Sequence, residues 1–95
     1  SGGLWLENAR RANAMARLLA DRLSGAPGVE LTQPVETNAV FARLAPAAIE
    51  RLQARFAFYT WDHQEHVVRW MTSFATTKAE VEAFAAAVRE EASKG

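Results

Sequence analysis

The chain of 95 residues contains no cysteine and very little lysine. Without cysteine it cannot form disulfides, use a thiolate nucleophile or hold a cysteine-ligated zinc ion. Of its eleven basic residues only Lys78 and Lys94 are lysines, and the others are arginines. An amine that performs covalent chemistry needs a desolvated site or a neighbouring cation. The sequence around both lysines is polar or small instead.

The chain also lacks an excess of charge of either sign and any long apolar run. Eleven acidic residues balance eleven basic ones, so the formal net charge is zero and no basic surface is expected to attract a nucleic acid. No segment reaches the roughly 18 apolar residues of a membrane span, and the N-terminus shows no secretory leader. We therefore expect no nucleic-acid or membrane partner and a cytoplasmic location.

The overall composition is that of one compact domain. Apolar residues make up 49% of the chain, and a chain of this length forms a single core. We expect one domain over residues 1–95. The first three residues, "SGG", carry no structural signal and are expected to be unstructured or left over from cloning.

Three segments have the apolar spacing of amphipathic helices. In residues 4–23 apolar side chains recur every three or four positions, beginning with Trp5, and "SGAPG" then ends the helix. A second, short helix is predicted over residues 46–55, where the opening proline suits a first turn. The third begins at Thr77, because its hydroxyl and the carboxylate of Glu80 three positions later form a capping box.

Four further segments are typical of strands, because they alternate apolar and polar residues or are rich in β-branched and aromatic types. They are residues 29–32, 38–44, 56–61 and 67–74. The predicted order is α-β-β-α-β-β-α. Short polar breaks between the strands favour a mainly antiparallel sheet, so the sequence predicts an α+β fold with three helices and about four short strands.

The last strand, "VVRWMTSF", raises the question of function. Both of its faces are largely apolar, so each needs a cover, supplied by helices on both sides or by protein outside this chain. Arg69 lies in its middle, with Val67 and Met71 as neighbours on the same face. A lone buried charge is costly, so Arg69 must reach water, pair with an acid such as Glu65, or bind an anion. Its planar fork suits a carboxylate.

Other polar residues are weaker candidates. The stretch "DHQEH", residues 62–66, groups two imidazoles with two carboxylates, but its spacing fits no common metal signature and a solvated turn is predicted. Asn38 is expected to end a strand ladder or a turn. Neither a nucleophile motif nor a glycine-rich phosphate loop is present. We therefore expect no acyl-transfer, phosphate-binding or metal-binding site in this chain.

Four stretches stand in a characteristic order: "WLENARRANAMARLLADRL", "GVELTQPVETNAVFARL", "FAFYTW" and "VVRWMTSFATT", followed by an amphipathic helix. In this order and spacing they resemble the C-terminal part of bacterial low-specificity threonine aldolases. The resemblance runs from about residue 4 to residue 88. Its most specific parts are "PVETNAVF" and the arginine-containing strand before "SFATT".

The resemblance implies the small domain of a pyridoxal-phosphate enzyme with the aspartate-aminotransferase-like fold. In that family the large domain holds the cofactor and the Schiff-base lysine. An arginine of the small domain, matched here by Arg69, binds the substrate's α-carboxylate. The implied reaction cleaves L-threonine or L-allo-threonine to glycine and acetaldehyde.

The chain departs from the family in having no large domain on its N-terminal side. The expected partners are that domain of the same polypeptide, the amino acid substrate and further copies in a dimer or tetramer. The isolated chain is expected to be inactive and to bind no cofactor, because Lys78 and Lys94 both fall in solvated positions. The alternative is an independent α+β module for interaction or small-ligand binding, with Arg69 in an internal ion pair.

Overall fold

The computed structural model describes residues 2–95, with side chains from Leu6 onwards. Its elements are α1 (Gly2–Leu23), β1 (Glu30–Leu31), β2 (Ala39–Arg43), α2 (Pro46–Gln53), β3 (Tyr59–Asp62), β4 (Val67–Met71) and α3 (Lys78–Ser93). This confirms the predicted α+β class and element order. None of the helices in this part of the chain is both long enough and apolar enough to cross a membrane.

The four strands form one antiparallel sheet in the order β1-β2-β4-β3. Strands β2 and β4 lie at its centre and pair along their whole length. Arg69, in the middle of β4, lies opposite Phe41 of β2 and Tyr59 of β3. Because directly opposed residues share a face of the sheet, these three side chains belong to the same side.

All three helices contribute to a core on the other side of the sheet. This core takes alternate residues of β2 and β4 together with one stripe of each helix: Ala16, Leu19, Leu23, Val40, Ala42, Leu44, Ala48, Ile49, Leu52, Val68, Trp70, Val81, Ala85, Val88 and Ala92. The predicted stripe of α1 is therefore core from its middle onwards. Trp5, where that stripe was predicted to begin, lies outside the residues whose side chains are described.

The opposite side of the sheet is open. We call it the Arg69 face and define it by Phe41, Tyr59, Trp61, Arg69 and Met71. No helix within residues 2–95 covers this face, and Tyr59, Trp61 and Met71 are 75%, 58% and 55% exposed. The two apolar faces of β4 allowed either helices on both sides of the sheet or a cover from protein outside this chain. The described residues do not form the first of these arrangements.

The N-terminal helix is longer than predicted. Gly2 and Gly3 fall within α1, so they are helical rather than unstructured, and the first residue lies outside the described part of the chain. After the helix, Gly25 and Gly28 have left-handed φ angles of 76° and 82°. The Cβ that Gly28 lacks would overlap the backbone oxygen of Ala92. The turn after α1 therefore packs directly on the backbone of α3.

Aromatic packing shortens the third strand. Residues 56–61 were predicted as a strand, but β3 begins at Tyr59. Phe56 and Phe58 instead pack edge to face with Phe84 of α3, at centroid distances of 4.9 and 6.4 Å. These contacts join α3 to the connection between α2 and β3.

A buried carboxylate joins α3 to α2. Glu91 is only 6% exposed. One of its oxygens accepts a hydrogen bond of 2.9 Å from Arg51 Nε, and the other lies 3.3 Å from Arg55 Nη1. Lys94 Nζ lies 3.3 Å from the first oxygen. The hydrogen bond from Arg51, helped by the one from Lys94, holds the pKa of Glu91 below its ordinary value despite burial.

Candidate functional site

The candidate site is centred on Arg69, the charged residue in the middle of the open face. Its cross-strand neighbours are Phe41 and Tyr59. Its neighbours along β4 on the same face are Val67 and Met71. The structure thus places the guanidinium on a surface of apolar and aromatic side chains, as the sequence pattern predicted.

An indole ring is the main contact of this guanidinium. Arg69 Cζ lies 4.8 Å from the ring centroid of Trp61, over the ring, which is within the range of a cation–π interaction. Phe41 packs against the same indole edge to face, with centroids 5.3 Å apart and planes 74° apart. The arginine is therefore held against an aromatic pair that spans the sheet from β3 to β2.

The guanidinium has hydrogen-bonding capacity to spare. Its Nε is buried and has no hydrogen-bond partner. Glu65, the acid proposed as an internal partner, lies 3.3 Å from Arg43 instead. Among the side chains from residue 6 to residue 95, no carboxylate lies within ion-pair distance of Arg69. A buried donor without a partner costs about 1–3 kcal/mol, so this part of the guanidinium is left unsatisfied by the domain itself.

A β-bulge brings Trp61 to the arginine. Thr60 pairs with Val68 and Asp62 pairs with Val67, so Trp61 is an extra residue in β3 with no partner in the ladder. Such bulges bend a strand and redirect a side chain. The aromatic composition of residues 56–61 predicted a strand, but nothing in the sequence indicated the bulge, and sequence reasoning therefore missed the contact between Trp61 and Arg69.

The other polar candidates have structural roles. Asn38 extends the pairing of β2 and β4: its Nδ2 donates to Thr72 O at 2.7 Å, and its own carbonyl accepts from Thr72 N at 2.9 Å. This confirms the prediction of a ladder-end residue. Thr72 Oγ1 also donates to Ala12 O of α1 at 2.6 Å, which ties the end of β4 to α1.

The stretch of residues 62–66 forms a tight turn between β3 and β4. Asp62 Oδ1 accepts hydrogen bonds from the backbone N–H groups of Gln64 and Glu65, at 3.0 and 3.1 Å. His66 has a left-handed φ of 58° and is exposed. Within residues 2–95 no three His, Asp or Glu side chains converge as metal ligands would.

An apolar hollow lies away from Arg69. It has a volume of about 490 Å³ and is lined mainly by apolar residues of α3 and of the segment before β3, among them Phe56, Phe58, Trp70 and Phe84. Its hydroxyl and carboxylate residues are engaged, since Thr76 Oγ1 accepts from Ser73 N and Glu80 belongs to the cap of α3. Trp70 Nε1 is buried in this wall without a hydrogen-bond partner. No Lys, Arg or His is among the described residues that line this hollow, so an anion is better served by the guanidinium of Arg69.

Comparison with known proteins adds an independent observation. No family model matches the chain. The low specificity L-threonine aldolase of Pseudomonas sp. (strain NCIMB 10558) is 40% identical over 88 residues, and that of Pseudomonas aeruginosa is 44% identical over 86 residues. These matches cover 92% and 90% of this chain but 25% of each relative. The chain thus spans about a quarter of the length of these relatives, at their C-terminal end.

The fold is similar to that of a solved structure as well. A threonine aldolase from Leishmania major matches with a TM-score of 0.71 and 28% sequence identity. The match covers 83% of this chain and 24% of that chain.

Proposed function

We propose that this chain, which is homologous to the C-terminal quarter of low-specificity L-threonine aldolases, is the substrate-binding domain of such an enzyme. The observation that carries the proposal is the state of Arg69: a guanidinium on an open sheet face, held by an aromatic ring, with its Nε unpaired. A side chain in this state is suited to bind an anion supplied from outside the domain.

In the proposed enzyme Arg69 binds the α-carboxylate of L-threonine or L-allo-threonine. Two parallel N–H donors of the fork bond the two carboxylate oxygens, which fixes the direction in which the rest of the amino acid points. The bond between Cα and the hydroxyl-bearing carbon is thereby held in one orientation for cleavage to glycine and acetaldehyde. This contribution is positioning, and pyridoxal phosphate bound by the large domain supplies the electron sink.

The residues of this chain do not themselves fit the cofactor. Lys78 is exposed at the first position of α3. Lys94 is 51% exposed and lies 3.3 Å from Glu91. Neither lysine lines the 490 Å³ hollow, so neither has the enclosed surroundings that activate an amine. The Schiff-base lysine therefore belongs, in this proposal, to the large domain, and the isolated chain is inactive.

The Arg69 face is where we place the large domain of the same polypeptide. The curated relatives are about four times as long as the matched segment, since it makes up 25% of each. A covering domain would remove Tyr59, Trp61 and Met71 from water and turn an open face into the wall of a cleft. The dimer or tetramer expected from the family resemblance is part of the same proposal, and light scattering of the intact enzyme tests it.

The proposal is tested first by the coding sequence upstream of Ser1. A reading frame that encodes a large pyridoxal-phosphate domain is expected. A frame that ends without one would overturn the aldolase assignment and leave the independent interaction or small-ligand module as the explanation.

A second test is Arg69→Lys in the intact enzyme. Lysine keeps the charge but loses the fork, so we expect kcat/KM for L-threonine to fall about ten- to a hundredfold. The cofactor absorbance should stay unchanged, because the cofactor is held elsewhere. Unchanged kinetics would contradict the assignment of Arg69 to the carboxylate.

A further inference from the structure

We infer that Trp61 is a positioning residue for Arg69: its indole ring holds the guanidinium in the orientation in which the fork meets a substrate carboxylate. The inference rests on the proposed function of Arg69 and extends it to a second side chain. Arg69 Cζ lies 4.8 Å from the indole centroid. Among the described residues no hydrogen bond fixes Nε, so this ring is the contact that orients the group.

A ring is well suited to this task. An aromatic ring attracts a cation through its π face and does not need to accept a conventional hydrogen bond from the N–H donors. Trp61 therefore restrains the arginine without using any of the donors that a carboxylate needs. A carboxylate in the same place would restrain the charge but would also occupy those donors.

Trp61 is itself held by its neighbours in the sheet. Phe41 meets the indole edge to face at 5.3 Å and stands directly opposite Arg69 in β2. The bulge at Trp61 leaves this residue outside the ladder of β3 and β4. Strands β2, β3 and β4 thus contribute Phe41, Trp61 and Arg69 respectively, and the pairing of these strands fixes the spacing of the three side chains.

The contact is tested in this chain by nuclear magnetic resonance. Ring currents of the indole should shift the Arg69 Hε resonance upfield. Trp61→Phe should retain part of that shift, and Trp61→Leu should remove it. Tyr59→Leu is the matched control, because Tyr59 is an exposed aromatic residue of the same strand as Trp61 and should leave the shift in place. An Arg69 Hε resonance that does not respond to Trp61→Leu would overturn the inference.

The role is tested by kinetics of the intact enzyme. We expect Trp61→Leu to lower kcat/KM for L-threonine about two- to fivefold, the effect of one exposed cation–π contact, and Trp61→Phe to restore most of it. In an Arg69→Gln background the Trp61 change should have no further effect, because it acts through the arginine. Additive losses in the double variant would overturn the positioning role.

The two proposals fail in different ways. If Arg69→Gln leaves KM unchanged while the ring-current shift is present, the carboxylate assignment falls, and with it the role of Trp61. If Arg69→Gln is damaging and Trp61→Leu is not, Arg69 keeps its function and only the positioning role of Trp61 is rejected.

Discussion

At the scale of single residues, Gly28 shows how one missing side chain brings two segments together. Its φ of 82° is in the left-handed region, where residues other than glycine are strained. In addition, the backbone of Ala92 in α3 occupies the place of its absent Cβ. The sequence "SGAPG" predicted only that a helix stops there, because a contact with a residue near the other end of the chain leaves no local signal.

The two causes can be separated by alanine substitution. Gly25→Ala should lower the free energy of unfolding by about 1–2 kcal/mol, since Gly25 also has positive φ but has open space around its Cβ position. Gly28→Ala should cost about 1–3 kcal/mol more, because α3 must move. Urea unfolding of both variants measures the difference, and equal losses would show that α3 does not press on Gly28.

At the scale of elements, the attachment of α3 to α2 depends on pH. The folded pKa of Glu91 lies below its unfolded value, which is near 4.5. A carboxylate of this kind contributes stability that is fully present above the unfolded pKa and is lost as pH falls through the folded pKa. The contact of Glu91 with Arg51 should therefore stabilise the domain at neutral pH and fade in acid.

Glu91→Gln tests this directly. The variant should unfold at a lower temperature than the unchanged chain at pH 7. The gap should narrow below about pH 4.5 and close once pH has fallen through the folded pKa of Glu91, where both chains have a neutral side chain at this position. Glu90→Gln is the control, because its exposed side chain makes no ion pair within the described residues. A gap that is the same at pH 7 and in acid would assign the loss to packing.

Periodicity was sufficient to predict the elements but not how they are placed. All seven elements and their order follow from residue spacing, and the capping box of α3 is present, with Thr77 and Glu80 bonded in both directions. Two predicted strand bounds were wrong. The predicted start of β3 at residue 56 was too early, because Phe56 and Phe58 pack on Phe84, a tertiary contact. The predicted end of the last strand at residue 74 was too late, because β4 ends at Met71. Which face the helices cover was open as well, because both faces of β4 are apolar in sequence.

The same division holds for the candidate site. Arg69 could be singled out because a charge between apolar neighbours is visible in the sequence. Trp61 could not, because its contact with Arg69 depends on an extra residue in β3, and a bulge in a short aromatic segment has no composition of its own.

At the scale of the whole molecule, the isolated chain should not form a covalent cofactor adduct. Both lysines are exposed, so pyridoxal phosphate should give no long-wavelength imine band and no stoichiometric mass increase after borohydride reduction. A single adduct on one lysine would show that the chain has cofactor chemistry of its own.

The open sheet face should instead lead to association. The core on the helix side is complete enough for the chain to fold, but the aromatic and methionine side chains of the Arg69 face stay in water. Sedimentation velocity at increasing concentration should show larger species. Met71→Lys should reduce them, whereas Leu6→Lys, on α1 at similar exposure, should not. Equal behaviour of the two variants would place the contact elsewhere.

The shape of the sheet also determines which assemblies can grow. A fibre grows through the edge strands of a sheet, here β1 and β3, because their unpaired N–H and C=O groups can pair with a strand of the next molecule. Strand β1 has two residues, and β3 has four and carries the bulge. Neither edge therefore presents a long, straight template. A dimer formed through the Arg69 face buries that face on both partners, so no copy of it is left to bind a third molecule. The association we expect is therefore finite, and solutions of the chain should stay clear and free of amyloid-type growth.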